Sequence, residues 1–208
     1  MCYPITLEIK GRKVIVIGGG KVAVRKIRSL LAAGASITVI TDQASEPVKK
    51  WAEAGQITWN QRLWRKKDTG KAFLIVAATN NPKINREIAE NADANQLVNV
   101  AGQPELGNFY LPAVLHRGRL TIAVSTGGAS PLFSVRLRDK IADRLDDGIE
   151  DYLDFLSRLR EGLKKKSLSQ SERAACLRKL LDPMYRDGLR QQSVLADVDA
   201  FIRQSLAE

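Results

Sequence analysis

Short runs of β-branched and aliphatic residues alternate with amphipathic stretches through the first half of the chain. The apolar runs at 13–17, 36–41, 57–60, 73–79 and 96–101 are typical of buried strands. Between them, helical spacing of apolar residues follows residue 21, recurs around 45–54, and extends from Asn81 to about Ala94. Gly34 is placed to end the first helix, and Asn81-Pro82 to begin the last. This alternation predicts an α/β fold, with a parallel sheet and helices on both faces.

The pattern changes after residue 107. Residues 108–126 contain two strands with only the turn HRGR between them, which predicts an antiparallel pair. GGASP at 127–131 leads into an amphipathic helix to about Leu145, and no strand is predicted from Gly148 onward. Residues 149–166, 170–181 and 183–206 have helical spacing, with a break at Asp182-Pro183. Three regions are therefore predicted: 1–107, a small mixed α/β section at 108–147, and a C-terminal helical domain at 148–208.

Three consecutive glycines follow the first predicted strand, in the spacing Gly18-x-Gly20-x-x-Ala23. Gly18 permits a tight turn, Gly20 lets the backbone approach a diphosphate, and the small Ala23 allows close packing of helix on strand. The free amides and the dipole at the helix start favour an anion. Residues 1–107 are therefore predicted to form a Rossmann-like dinucleotide-binding domain. The alternative is a glycine turn that only connects strand to helix.

Polar residues follow the predicted strands where a coenzyme would be recognised. Asp42 comes 22 residues after Gly20, where a carboxylate would bind the ribose hydroxyls of NAD and repel the 2′-phosphate of NADP. Because a helix follows almost at once, Asp42 could instead be a plain helix-start residue. Open α/β sheets bind ligands at the carboxyl ends of their strands. Thr79 and Asn80 lie at such an end and are candidate cofactor contacts, or ordinary loop residues.

Composition narrows the class of protein. The chain has 208 residues, of which 44% are hydrophobic and 27% charged, as in ordinary globular proteins. No apolar run reaches the ~20 residues that cross a bilayer, and the first residues have no secretory pattern. Cys2 and Cys176 lie far apart, without disulfide or metal-ligand spacing. These features predict a cytoplasmic protein with reduced thiols, no metal site and no membrane partner.

The net charge of +10 is concentrated in the N-terminal portion of the chain. Residues 1–150 carry 22 lysines and arginines against 14 acidic residues, which favours a polyanionic partner. Nucleic acid and a multiply carboxylated small molecule both fit, and charge alone does not choose between them. The end of the chain is nearly balanced in charge and has no basic recognition helix, which argues against a DNA-binding repressor.

Four motifs occur in a recognisable order: GGGKVAVRK, AATNN, VNVA…NFYLPA and RGRLTIAVSTGGASP. With them the chain resembles the precorrin-2 dehydrogenase family, the N-terminal module of siroheme synthases, over about residues 4–145 and more loosely beyond. The resemblance implies NAD-dependent oxidation of precorrin-2 to sirohydrochlorin on the route to siroheme. It also implies a homodimer joined through 108–147, and a polycarboxylate tetrapyrrole rather than nucleic acid as the partner of the basic N-terminal portion.

The resemblance also implies particular site residues. Lys21 and Val22 match the family's cofactor contacts at the glycine turn, and Asp42 and Gln43 match those after the second strand. In STGGASP, Ser130 is placed to cap a helix whose free amides would seat a substrate carboxylate, or it only caps the helix. The candidate substrate-binding residues are Ser125, Gly127, Gly128 and Ser130.

One position departs from the family pattern. Many members carry an aspartate directly after the NV-x strand, and Gly102 stands there in this chain. Glycine can neither accept a proton nor ligate iron, so we expect a dehydrogenase without ferrochelatase activity. The alternatives are a bifunctional dehydrogenase/ferrochelatase and an NAD-sensing regulatory module. The proton acceptor is unidentified: the weak candidates are Glu105 and His116, the only histidine, placed in the HRGR turn and more simply read as exposed there.

Overall fold

The computed structural model describes residues 3–207 and divides into two compact units after Leu111. Cys2 lies outside the described residues, and Cys176 is a buried free thiol. None of the described helices is both long and apolar enough to cross a membrane.

The first unit is built on a five-stranded parallel sheet, as predicted. The strand order is β3-β2-β1-β4-β5. The strands are β1 (Lys13–Ile17), β2 (Ser36–Ile40), β3 (Thr58–Asn60), β4 (Leu74–Ala77) and β5 (Leu97–Val100). In this register Ile17 pairs with both Ile40 and Ala77, so β1, β2 and β4 end at the same level of one sheet edge.

Three helices cover both faces of this sheet: α1 (Lys21–Ala32), α2 (Glu46–Glu53) and α3 (Pro82–Glu90). Alternate side chains of β1 separate the core into two layers. Val14 and Val16 pack with residues of α1 and α2, whereas Ile15 and Ile17 pack with Ile88 of α3 on the other face. The near-continuous apolar runs in the sequence thus belong to strands that are buried on both sides.

Helix ends in this unit follow the predicted signals, with one exception. Gly34 adopts φ +72° just beyond Ala33, the last cap residue of α1, and Asn81 caps α3 by accepting from the amides of Lys83 and Ile84. The prediction that this helix reaches Ala94 is wrong, because α3 ends at Glu90. The side-chain amide of Asn91 donates instead to the Lys66 carbonyl and the Thr69 hydroxyl, each at 2.8 Å, and the chain turns there.

The second unit begins with the predicted antiparallel hairpin, β6 (Ala113–Arg117) and β7 (Leu120–Val124), against which α4 (Pro131–Ala142) packs. Two details were predicted wrongly. His116 lies on β6 opposite Thr121, and the turn itself is Gly118-Arg119. Residues 108–112 are not strand, because Asn108 bonds back to Val98 of the first sheet.

The remaining helices surround an apolar core of their own, which includes Phe155 and Leu159. They are α5 (Ile149–Lys164), α6 (Gln170–Lys179), α7 (Gly188–Ala196) and α8 (Val198–Leu206). The single helix predicted over 183–206 is wrong: a 3₁₀ turn, α7 and α8 replace it. Asp187 and Asp197 each cap the helix that follows, because aspartate suits a helix start better than a helix interior. The separation of 108–147 from 148–208 stays a prediction.

Candidate functional site

A cleft of about 890 Å³ opens at the carboxyl edge of the first sheet. Because β1, β2 and β4 end at one level, the residues that follow them meet there. Among the predicted cofactor residues, six line this cleft: Gly18, Gly20, Asp42, Gln43, Thr79 and Asn80. Three sequence stretches far apart in the chain thus form one site, at the edge where open α/β sheets bind ligands.

The glycine turn has little free space at two positions and open space at the third. A Cβ on Gly18, which has φ +115°, would lie 2.2 Å from the Ala78 carbonyl oxygen, and one on Gly19 would lie 2.7 Å from that of Gln43. Nothing lies within 4 Å of a Cβ on Gly20. The first two glycines are therefore required by the fold, whereas Gly20 leaves room for a ligand.

Helix α1 begins directly after this turn. The N–H groups of its first residues point toward its N-terminal end, which is the glycine turn. Lys21 and Val22 have exposed side chains, and neither residue lines the cleft. Ala23 is fully buried in the core between helix and sheet, in agreement with the packing role predicted for it. The first amides of a helix have no partner within it, and an anion is favoured at this end.

The loop after β2 presents a carboxylate at the cleft. Asp42 is exposed, and its Oδ1 accepts from the Gln43 amide at 3.0 Å. The alternative of a helix-start role for Asp42 is wrong, because Ser45 occupies the position before α2. The carboxylate is therefore available to hydroxyl groups of a ligand.

The end of β4 is held in place by a buried amide. Asn85, only 3% exposed, accepts from both the amide and the hydroxyl of Thr79 and donates to its carbonyl. Asn80 is exposed and lines the cleft beside it. Hydrogen bonds thus hold Thr79 at the end of β4, and this side of the cleft is polar.

The side of the cleft formed by residues 63–66 was missed by sequence reasoning. An ion pair with two hydrogen bonds, of 2.7 and 2.8 Å, joins Arg62 to Asp68. The Arg65 amide also donates to Asp68, and together these bonds hold the segment in place. The bond from Arg62, above all, lowers the pKa of the Asp68 carboxyl. Residues 63–66 follow neither helical nor strand periodicity. The opposite charges of Arg62 and Asp68 are the only feature of the sequence that indicates the ion pair.

Two residues that line the cleft each have a buried polar atom without a hydrogen-bond partner in the described part of the chain. Within residues 3–207, neither Ser45 Oγ nor Trp64 Nε1 has a hydrogen-bond partner, and both residues line the cleft. A buried donor or acceptor without a partner costs about 1–3 kcal/mol. NAD fits the open space at Gly20, which can receive its diphosphate, and the exposed carboxylate of Asp42, which can accept hydrogen bonds from its ribose hydroxyls.

The candidate substrate residues lie in the second unit, before α4. Ser130 caps α4 as predicted, with its Oγ accepting from the Phe133 amide at 3.2 Å. The Ser125 hydroxyl accepts from the Gly127 amide at 3.3 Å. Gly127 and Gly128 adopt φ +60° and +90°, with nothing within 4 Å of a Cβ on either. Polar groups of this turn thus hydrogen-bond to one another and to the start of α4. The role of the turn in substrate binding stays a prediction.

The candidates for a proton acceptor belong to different units of the chain. Gly102 has φ +78° and open space around it, and Glu105 is exposed on a short 3₁₀ turn in the first unit. His116 is exposed on the hairpin of the second unit, and its Nδ1 lies 3.0 Å from the Thr121 hydroxyl. Nothing in these surroundings marks either side chain as a base.

Comparisons with known proteins decide the family. A precorrin-2 dehydrogenase of Priestia megaterium is 34% identical over 96% of this chain and 99% of its own length. A second, from Bacillus subtilis, is 38% identical over 78% of this chain and 99% of its own. The chain belongs to the precorrin-2 dehydrogenase family.

A solved structure and three family models agree with this. The structure named SirC, precorrin-2 dehydrogenase, superposes with a TM-score of 0.83 at 32% identity and covers both chains fully. A putative NAD(P)-binding model matches residues 5–113 and so includes every residue that lines the cleft. Models for the central region of a sirohaem biosynthesis protein and for the SirC C-terminal domain match 117–144 and 150–194. For this precorrin-2 dehydrogenase family member, the predicted Rossmann-like fold is confirmed.

Proposed function

We propose that the chain oxidises precorrin-2 to sirohydrochlorin with NAD, in siroheme biosynthesis. The cleft carries this proposal: in a member of the precorrin-2 dehydrogenase family, it joins a glycine turn, a helix start and an exposed carboxylate at one sheet edge. Bound NAD would supply the hydride acceptor for the reaction.

The residues of the cleft would divide the recognition of NAD among them. The open side of Gly20 and the first amides of α1 would receive the diphosphate. Asp42 would accept hydrogen bonds from ribose hydroxyls and repel a 2′-phosphate, which favours NAD over NADP. Lys21, Val22, Gln43, Thr79 and Asn80 complete the proposed set of cofactor contacts. These roles stay predictions.

The substrate side of the proposal rests on charge and on the start of α4. The net charge of +10 suits a multiply carboxylated tetrapyrrole. We assign Ser125, Gly127, Gly128 and Ser130 to a carboxylate of this substrate, because the turn precedes a helix whose N-terminal end favours anions. A cytoplasmic location remains a prediction.

The proposal excludes iron insertion. Chelation needs a group that removes pyrrole protons while Fe²⁺ enters, and Gly102 offers no side chain for this. Dehydrogenation suffers less from this departure, because the coenzyme takes the hydride and water can take the proton. A dehydrogenase without chelatase activity is therefore favoured over a bifunctional enzyme.

The test is an assay of the purified protein with precorrin-2 and NAD under anaerobic conditions. We expect one NADH for each sirohydrochlorin formed, and iron insertion into sirohydrochlorin at the uncatalysed rate. Binding of NAD without turnover would instead identify the sensing module. Iron insertion clearly above the rate without protein would identify the bifunctional enzyme.

We also propose a homodimer, joined through the hairpin and α4. Leu132 and Phe133 on α4 are 83% and 55% exposed, and Val135 and Leu137 are exposed as well. Four exposed apolar side chains on one short helix favour an interaction surface there. Sedimentation equilibrium should give a mass twice the 23.0 kDa of the chain, and Leu132→Glu should shift it toward the monomer. A monomeric wild-type protein would exclude the dimer.

A further inference from the structure

Helix α1 turns one lysine toward the sheet rather than toward solvent. The Nζ of Lys26 donates to Asn99 Oδ1 on β5 at 2.5 Å, although the two residues are 73 positions apart. No carboxylate in the described region of the chain forms an ion pair with Lys26. Burial, and to a lesser degree the charge of Arg25, lowers the pKa of the Lys26 amine. The partly buried amine of Lys26 therefore hydrogen-bonds to one neutral side chain, the amide of Asn99.

This bond decides which way the Asn99 amide points. A lysine amine on an amide oxygen acts as donor, so Oδ1 of Asn99 faces Lys26 and Nδ2 faces away from it. Nδ2 donates to the Phe109 carbonyl at 3.1 Å, and Asn99 is only 7% exposed. Lys26 thus acts on the backbone at Phe109 through the side chain of Asn99.

The chain near Phe109 is the return limb of the loop that follows β5. Asn108 donates from its backbone to the Val98 carbonyl at 3.0 Å, accepts from the Val98 amide at 2.8 Å, and donates from its side chain to the Gln96 carbonyl at 2.7 Å. At the other end of the loop, the Ala101 amide donates to Ala77 at 2.8 Å. Both ends of residues 102–107 are therefore fixed to the sheet.

We infer that Lys26 is a positioning residue for the proposed reaction, which acts through Asn99 to hold the loop 102–107 at the carboxyl end of β5. This inference rests on the proposed function. The loop follows the strand next to β4, whose end lines the cofactor cleft. Displacements of about 1 Å far from the reacting atoms are enough to lower a rate about 100-fold.

The first measurement does not depend on activity. Lys26→Met is expected to raise hydrogen–deuterium exchange of amides in peptides covering 101–109, both with and without NAD. Arg28→Met is the matched control, because it removes the same charge from an exposed position of α1 and should leave exchange unchanged. Equal exchange in Lys26→Met and wild type would overturn the inference.

The second measurement is steady-state NADH formation together with calorimetry of NAD binding. Lys26→Met is expected to lower kcat about tenfold while the Kd of NAD stays within about twofold of wild type. If Lys26 acts through Asn99, the double variant Lys26→Met/Asn99→Ala should be no slower than Asn99→Ala alone. Additive losses, or an NAD Kd raised as much as kcat falls, would overturn the inference. Wild-type protein that forms no NADH would overturn the proposed function instead, and the exchange experiment would still test the link to Asn99.

Discussion

Gly20→Val is expected to abolish useful NAD binding and leave the fold intact. Gly20 has φ −83°, and a Cβ on it would meet nothing within 4 Å, so the chain itself accepts valine there. The added side chain would occupy the space where the backbone approaches the diphosphate. We expect the Kd of NAD, measured by calorimetry, to rise on the order of a hundredfold, which is about 2.7 kcal/mol. The free energy of unfolding should fall by only about 1 kcal/mol, as for a poorer residue before a helix.

Gly148→Val is the matched control for this change. Gly148 also precedes a helix, with φ −81° and open space around its Cβ position, but lies in the second unit. It should show a similar small loss of stability with unchanged NAD affinity. Gly18 does not serve the purpose, because a Cβ there would lie 2.2 Å from Ala78 and disturb the fold. Wild-type NAD affinity in a folded Gly20→Val variant would contradict the proposed cofactor site.

Asp42→Asn is expected to change coenzyme preference. The amide keeps the shape of the side chain and its bond from the Gln43 amide, but loses the negative charge. Hydrogen bonds to a charged group contribute about 1.5–3 kcal/mol against about 1 for neutral pairs, so NAD affinity should fall about tenfold. Repulsion of the 2′-phosphate also disappears, and like-charge contacts cost several kcal/mol. The ratio of NAD to NADP affinity should therefore fall by about a hundredfold.

Glu46→Gln provides the comparison for Asp42. Glu46 lies in the first turn of α2, near Asp42 in sequence, but does not line the cleft. Removal of the Glu46 charge tests whether the loss of any nearby negative charge changes coenzyme affinity as Asp42→Asn does. We expect the affinities for NAD and for NADP both to stay within about twofold of wild type. An unchanged NAD to NADP ratio in Asp42→Asn would show that this carboxylate does not contact the ribose.

The first sheet and its glycine turn could be predicted because their signals are local. A strand buried on both faces must be apolar at nearly every position, as Val14 to Ile17 are. Gly18 is required by a positive φ beside a close carbonyl, and Asn81 by the free amides of α3. Each requirement acts within a few residues, so it leaves a pattern in the sequence.

The helix breaks at Asp187 and Asp197 were not predictable in the same way. Aspartate is tolerated inside a helix and favoured before one, so the residue type alone allows either outcome. The breaks let α7 and α8 both place side chains in one core, Val194 from the first and Phe201 from the second. Local propensity allows the breaks, and the burial of apolar side chains from both helices in one core stabilises them.

The sequence by itself thus determined the order of strands and helices in the first unit, the tight turn at Gly18 and the carboxylate after β2, because short-range sterics and burial dictate those residues. Only the tertiary structure brought Trp64 and Ser45 to the same cleft and paired Lys26 with Asn99. Such contacts join residues distant along the chain through single hydrogen bonds or shared space. These contacts place no periodic constraint on neighbouring residues, so the sequence contains no pattern that predicts them.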